Sequence, residues 1–207
     1  MSSPVGSSVS SGSGVRGTSG TATRQHLSAR QADTVDRLTD AGVEELREHG
    51  YDGLTVRNVA RRAGVAPATA YTYFASKDHL VAEVFWRRLR QLPVPPVDRR
   101  RAAPARVGLA LADVGMLVAD EPELAAACTT ALLATDPEVG RLRDAIGAHV
   151  HVRLSDALGV DGSPAVLRAL ELTFSGAMVQ AGMGHLRYED LAVRMEETAA
   201  LMFGGQH

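Results

Sequence analysis

The side chains best suited to chemistry crowd into one short run. Residues 53–77 read Gly-Leu-Thr-Val-Arg-Asn-Val-Ala-Arg-Arg-Ala-Gly-Val-Ala-Pro-Ala-Thr-Ala-Tyr-Thr-Tyr-Phe-Ala-Ser-Lys. The Tyr71 and Tyr73 hydroxyls suit phosphate oxygens, which position a protein on nucleic acid without reading its sequence. Pro67, Ala68, Thr69 and Thr72 are small enough to approach base edges and thymine methyls. Nothing elsewhere resembles catalytic machinery: G-x-S-x-G, a P-loop, H-E-x-x-H and C-x-x-C are all absent. The seven histidines are scattered, and His149 and His151, two apart on a helix, diverge. Cys128 is the sole cysteine, so an internal disulfide and a Cys-cluster zinc site are excluded. The sequence predicts no catalytic residues, no metal site and no cofactor.

The elements that must carry this run are two short helices and a turn. Thr55 is a good N-cap for a helix reaching about Arg62. Val56, Val59 and Ala60 fall at i, i+3 and i+4 and share an inward stripe, while Arg57, Arg61 and Arg62 face water or phosphate. Gly64 suits the left-handed residue after the helix. Val65 plugs the corner, and Pro67 fits the first turn of the next helix. Ala70 and Phe74 turn inward, and Ser76 caps a further helix that begins at Lys77. Two helices about a tight glycine turn form a helix-turn-helix, whose second helix enters a DNA major groove.

The string Gly64-Val65-Ala66-Pro67-Ala68-Thr69-Ala70-Tyr71-Thr72-Tyr73-Phe74-Ala75-Ser76-Lys77 resembles the DNA-binding domain of the TetR/AcrR family of bacterial transcriptional repressors. That family's typical pattern is Gly-Val-Ser-Pro-x-Thr-Leu-Tyr-x-Tyr/His-Phe-x-x-Lys. The spacing is kept throughout, and the likeness covers about residues 34–90. Ala66 stands in place of a serine, removing a cap worth roughly 1 kcal/mol, and Ala70 in place of a large aliphatic. The resemblance implies DNA contacts from Thr55, Arg57, Ala66, Pro67, Ala68, Thr69, Tyr71, Thr72, Tyr73 and Lys77. It implies a homodimer on a double-stranded, pseudo-palindromic operator and a small hydrophobic effector.

Charge supports the division of labour. Residues 1–97 carry 12 basic and 9 acidic side chains, and residues 98–207 carry 10 and 15. The basic half holds the helix-turn-helix, as phosphate binding requires. Residues 1–26 are Ser/Gly-rich and predicted to be disordered. Their Gly12-to-Gly17 G-x-G-x-x-G lacks the strand and helix that a dinucleotide site needs. Arg16 and Arg24 could serve as a minor-groove arm or be plain tail. No apolar run spans a membrane and no signal-peptide core is visible, so a cytoplasmic location is expected.

A DNA-binding domain over 27–91 includes a connecting helix that ends at Pro93-Val94-Pro95-Pro96-Val97. Trp86 on that helix belongs to the small domain's core or faces the second domain. Arg99-Arg100-Arg101 touches DNA or is simply solvated. The second domain, 99–205, reads as helices near 103–119, 122–134, 137–158, 164–183 and 188–203, with proline and acid starts and glycine stops. The fold class is therefore all-α.

Met116, Cys128, Thr129, Leu132, His149, Phe174 and Met178 mix apolar bulk with a few polar groups, the character of a ligand pocket or of an ordinary core. Leu170, Phe174, Ala177, Ala181, Leu191, Met195, Ala199 and Met202 line the last two long helices. By spacing alone they form a dimer interface or fill the chain's own core; the resemblance implies the dimer. The reading is a ligand-responsive, DNA-binding repressor acting as a homodimer. The alternative is a helical scaffold with weak or no specific DNA binding.

Overall fold

A computed structural model describes residues 29–204. The predicted tail, its glycine motif and Arg16 and Arg24 lie outside the described residues. Among those described there is no strand, and the all-α expectation holds.

Helix α1 spans Ala29–Gly53 and breaks at Gly50 (φ 65°, ψ 179°). Its buried stripe is Val35, Leu38, Ala41, Val43 and Leu46. Helix α2 (Val56–Arg62) starts at Thr55, whose hydroxyl accepts from Asn58 N at 3.1 Å. Gly64 turns the chain at φ 63°, a conformation costly for any residue with a Cβ. Helix α3 (Pro67–Tyr73) opens on proline without a side-chain cap, as Ala66 dictates. Ala70 and Phe74 are buried beneath it. Helix α4 (Lys77–Gln91) is capped by Ser76, which accepts from His79 N at 3.0 Å. The proline-rich linker ends it.

The second domain holds α5 (Ala103–Met116), α6 (Pro122–Leu132), α7 (Pro137–Leu158), α8 (Pro164–Gly182) and α9 (Leu191–Gly204). Prolines in the first turns of α5 to α8 are preset for helix and need no N–H. Helices α5 and α9 touch closely: a Cβ on Gly115 would lie 2.8 Å from Leu191 Cδ1. One apolar core runs through both domains, with Phe85 and Leu89 of α4 inside it.

Packing corrects the predicted dimer set. Leu170, Phe174, Ala181, Leu191, Met195 and Ala199 are buried within the chain itself. Ala177 is half-buried, and Met202 packs against the same core. The apolar residues left facing outward are Leu172 (76% exposed) on α8 and Met183 (52%) at its C-cap, with Val193 (54%) and Leu201 (78%) on α9. Both helices carry two apolar stripes, and the one richer in large side chains fills the chain's own interior, where burial is worth most.

Candidate nucleic-acid interface and ligand cavity

The recognition face forms because α3 is anchored from below by Ala70 and by Phe74 at its C-cap, with Tyr73 half-buried beside them. Pro67, Ala68, Thr69, Tyr71 and Thr72 are all exposed on it, beside Ala66, and Thr55 and Arg57 are exposed on the preceding helix. The Thr72 hydroxyl donates to Thr69 O at 2.6 Å, which leaves its methyl and lone pairs outward. Tyr73 is half-buried against the core and offers only an edge. From α1, Arg37 clasps the turn, donating to Ala63 O and to Gly64 O at 3.3 Å.

Two cationic residues sit differently from expectation. Lys77 is half-buried: its ammonium donates to Tyr51 O at 2.9 Å and lies 4.0 Å over the Tyr51 ring. It ties α4 to the end of α1 instead of standing free for phosphate. Asp78 accepts from the Tyr51 hydroxyl, and burial, then this bond, raise the Tyr51 pKa. Arg62 likewise turns back to α1, donating to Glu45 Oε1 at 2.6 Å and to both Glu48 oxygens. Glu45 is 3% exposed, and burying a carboxylate without a cation is costly. Glu45, Glu48 and His49 hold three possible metal-ligand atoms within 4.8 Å of one another, with Arg62 already against both carboxylates. Arg57 and Arg61 of α2 are exposed and make no ion pair among the described residues, so both are open to phosphate.

The head is bolted to the second domain at three points. Glu121, at the start of α6, accepts from Arg47 of α1 at 2.8 Å and from Arg88 of α4 at 2.6 Å. Burial alone would raise the Glu121 pKa; the two guanidiniums bring it net below the usual range. Ser76 donates to Asp136 at 2.5 Å, joining the N-caps of α4 and α7 and lowering the Asp136 pKa. At the far end of α4, Arg153 of α7 is 1% exposed. It donates to Leu92 O at 3.2 Å, Pro93 O at 3.0 Å, Ala110 O at 3.4 Å and His149 Nε2 at 3.0 Å. Trp86 faces the second domain, meeting His149 edge-on at 6.1 Å between ring centroids. Burial, then the nearby Arg153 charge, lower the His149 pKa.

A cavity of about 700 Å³ opens among α4, α5, α6, α7 and α8. Cys128, Thr129, Leu132, Phe174 and Met178 line it, and Phe85 reaches it from α4. Met116 and His149 do not. Met116 is 40% exposed at the end of α5, and His149 is held by Trp86 and Arg153. His151, on the opposite side of α7, takes the cavity position and pairs with Glu171 at 2.6 Å. Arg143, Ile146 and Tyr188 are lining residues the sequence did not single out. Burial pushes the Cys128 thiol up to about 12, so it is a neutral wall atom and not a nucleophile.

A helix-turn-helix rigidly mounted on a helical domain with an apolar cavity defines a DNA-binding transcriptional regulator. The model of bacterial regulatory proteins of the tetR family matches residues 38–84. The HTH-type transcriptional regulator Rv0767c of Mycobacterium tuberculosis is 47% identical over 178 residues, 85% of this chain and 83% of the relative. A TetR transcriptional regulator from Rhodococcus sp. RHA1 superposes with a TM-score of 0.68 at 22% identity, covering 86% of this chain and 99% of that one. FadR from Bacillus subtilis, solved in complex with stearoyl-CoA, superposes at 0.54 and 19% identity, covering 83% and 99%. This chain belongs to the tetR family of bacterial transcriptional regulators. Among the described residues no helix is long and apolar enough to cross a membrane.

Proposed function

We propose that the protein is a ligand-responsive repressor that binds a pseudo-palindromic operator as a homodimer in the cytoplasm. The observation that carries this reading is the double duty of α4. Its N-terminus follows the recognition helix directly, and its Phe85 forms part of the cavity wall. A hydrophobic effector filling the cavity presses on Phe85 and tilts α4. The tilt changes the distance between two heads that must enter major grooves one helical turn apart, about 34 Å. Release of DNA extends only as far as the effector prefers the tilted state. FadR supports a lipid-like occupant, since its complex holds stearoyl-CoA. The outward apolar faces of α8 and α9, with Leu172, Met183, Val193 and Leu201, support a dimer in which each helix pair meets its copy. DNA contacts are assigned to Thr55, Arg57, Arg61, Ala66, Pro67, Ala68, Thr69, Tyr71 and Thr72, with Tyr73 at the margin.

The test is fluorescence anisotropy with DNA from upstream of the protein's own gene, titrated at constant salt and repeated with a lipid-like ligand. Tight binding at two chains per site, weakened by the ligand, is the expected result. Binding that the ligand leaves unchanged would separate the DNA-binding half of the reading from its regulatory half. No specific binding would favour a scaffold.

A further inference from the structure

The charge pattern around the cavity narrows the chemistry of its occupant. The wall is almost wholly apolar, from Phe85 at the α4 side to Ile146 and Phe174 across it. Three lining side chains belong to the acid and base types Glu, His and Arg, and two of them bond to each other: His151 Nδ1 lies 2.6 Å from Glu171 Oε1. The third is Arg143. Its Nη1 donates to Leu132 O at 3.0 Å and to Ala134 O at 2.6 Å, closing the last turn of α6. Those two bonds hold the guanidinium in place at the cavity edge. Its Nε and Nη2 bond to none of the described residues, and no carboxylate pairs with it. Among the described residues Arg143 is therefore the wall's one guanidinium, with no carboxylate beside it, and its fork is pre-positioned by the protein.

Resting on the cavity reading above, we infer that the effector is an amphiphilic anion. Its apolar body fills the cavity, and a carboxylate or phosphate accepts from Arg143 at the mouth. A guanidinium fork matches both anions in two-point fashion. An uncharged lipid gains nothing from it, and a cationic amphiphile meets an unopposed positive charge.

The test uses the full chain and four probes with one tail: dodecanoate, dodecyl phosphate, dodecanol and dodecylamine, each titrated calorimetrically below its micelle concentration. Wild type should bind at least one anion about tenfold tighter than the alcohol, the span of a partly exposed charge-assisted bond. The amine should be weakest. Arg143→Gln should erase the preference for anion over alcohol while both still bind, and Arg143→Lys should restore part of it. The tighter anion identifies the head group. Alcohol or amine binding as tightly as both anions would overturn the inference and leave the cavity reading standing; so would an undiminished preference in Arg143→Gln. If no probe binds, or if Cys128→Trp leaves binding intact, the cavity reading itself falls and the inference with it.

Discussion

Arg153→Met is the most informative single change. Methionine matches the reach of arginine and keeps the site apolar, but it has no donors. The structure gives Arg153 four acceptors: the Leu92, Pro93 and Ala110 carbonyls and His149 Nε2. The Ala110 bond is long at 3.4 Å, and that carbonyl lies within α5, so its loss costs little. Leu92 O and Pro93 O lie beyond the end of α4, where Arg153 is their donor. Each acceptor left unpaired costs about 1 kcal/mol or more. Methionine recovers part of this, because a guanidinium is expensive to bury. The net is about 2 kcal/mol, a melting-temperature drop of about 4–8 °C for a chain of this size. The functional effect should exceed the stability effect, because the same bonds fix the far end of α4 to α7. Operator affinity should fall and its sensitivity to effector should shrink, while non-specific DNA binding stays the same. Calorimetry and anisotropy on the same variant read both. A melting temperature within about 1 °C of wild type, with unchanged operator affinity, would refute the view of Arg153 as the pin of the connecting helix.

Leu172→Glu combined with Leu201→Glu should turn the proposed dimer into a folded monomer by sedimentation, whereas Leu170→Glu should unfold the second domain because Leu170 is fully buried. Lys77→Ala should lower thermal stability and leave the salt slope of DNA binding unchanged, since its ammonium is engaged with Tyr51. Arg57→Ala and Arg61→Ala should each reduce that slope by about one unit. Acid should destabilise the protein: burial lowers the pKa of His79 and, with Arg153, that of His149. Both take up protons more readily when unfolded, so their stabilisation is complete above about pH 6.5 and declines as pH falls below it. His149→Gln should flatten this decline relative to wild type in melts across that range.

The local punctuation was legible from residues alone. Thr55, Gly64, Pro67 and Ser76 stand at caps and turns whose chemistry acts within a few residues, and each sits where that chemistry puts it. Side chains whose roles depend on distant partners were less legible. Nothing around Lys77 in sequence announces the Tyr51 carbonyl, 26 positions earlier. Arg62 had a visible cue: Glu45 lies inside the buried stripe between Val43 and Leu46, and a buried carboxylate requires a cation. Helix α7 presents apolar or small residues on several sides, so periodicity could not choose between His149 and His151 for the cavity. On α8 the two apolar stripes at Leu170 and Leu172 differ by only two residues. The partition between core and outer face is decided by how α8 lies on α9 and α7, which no local pattern encodes.

The central claim is that this head and this cavity form one device. Its most direct measurement is the operator affinity of the wild-type protein against its own upstream DNA, taken with and without dodecanoate at fixed salt. The account predicts saturation at two chains per site and a weakening of about 5–150-fold with ligand, the usual span of coupling between two sites. Affinity no better than for unrelated DNA, or specific affinity indifferent to a ligand shown to bind the cavity, would contradict it.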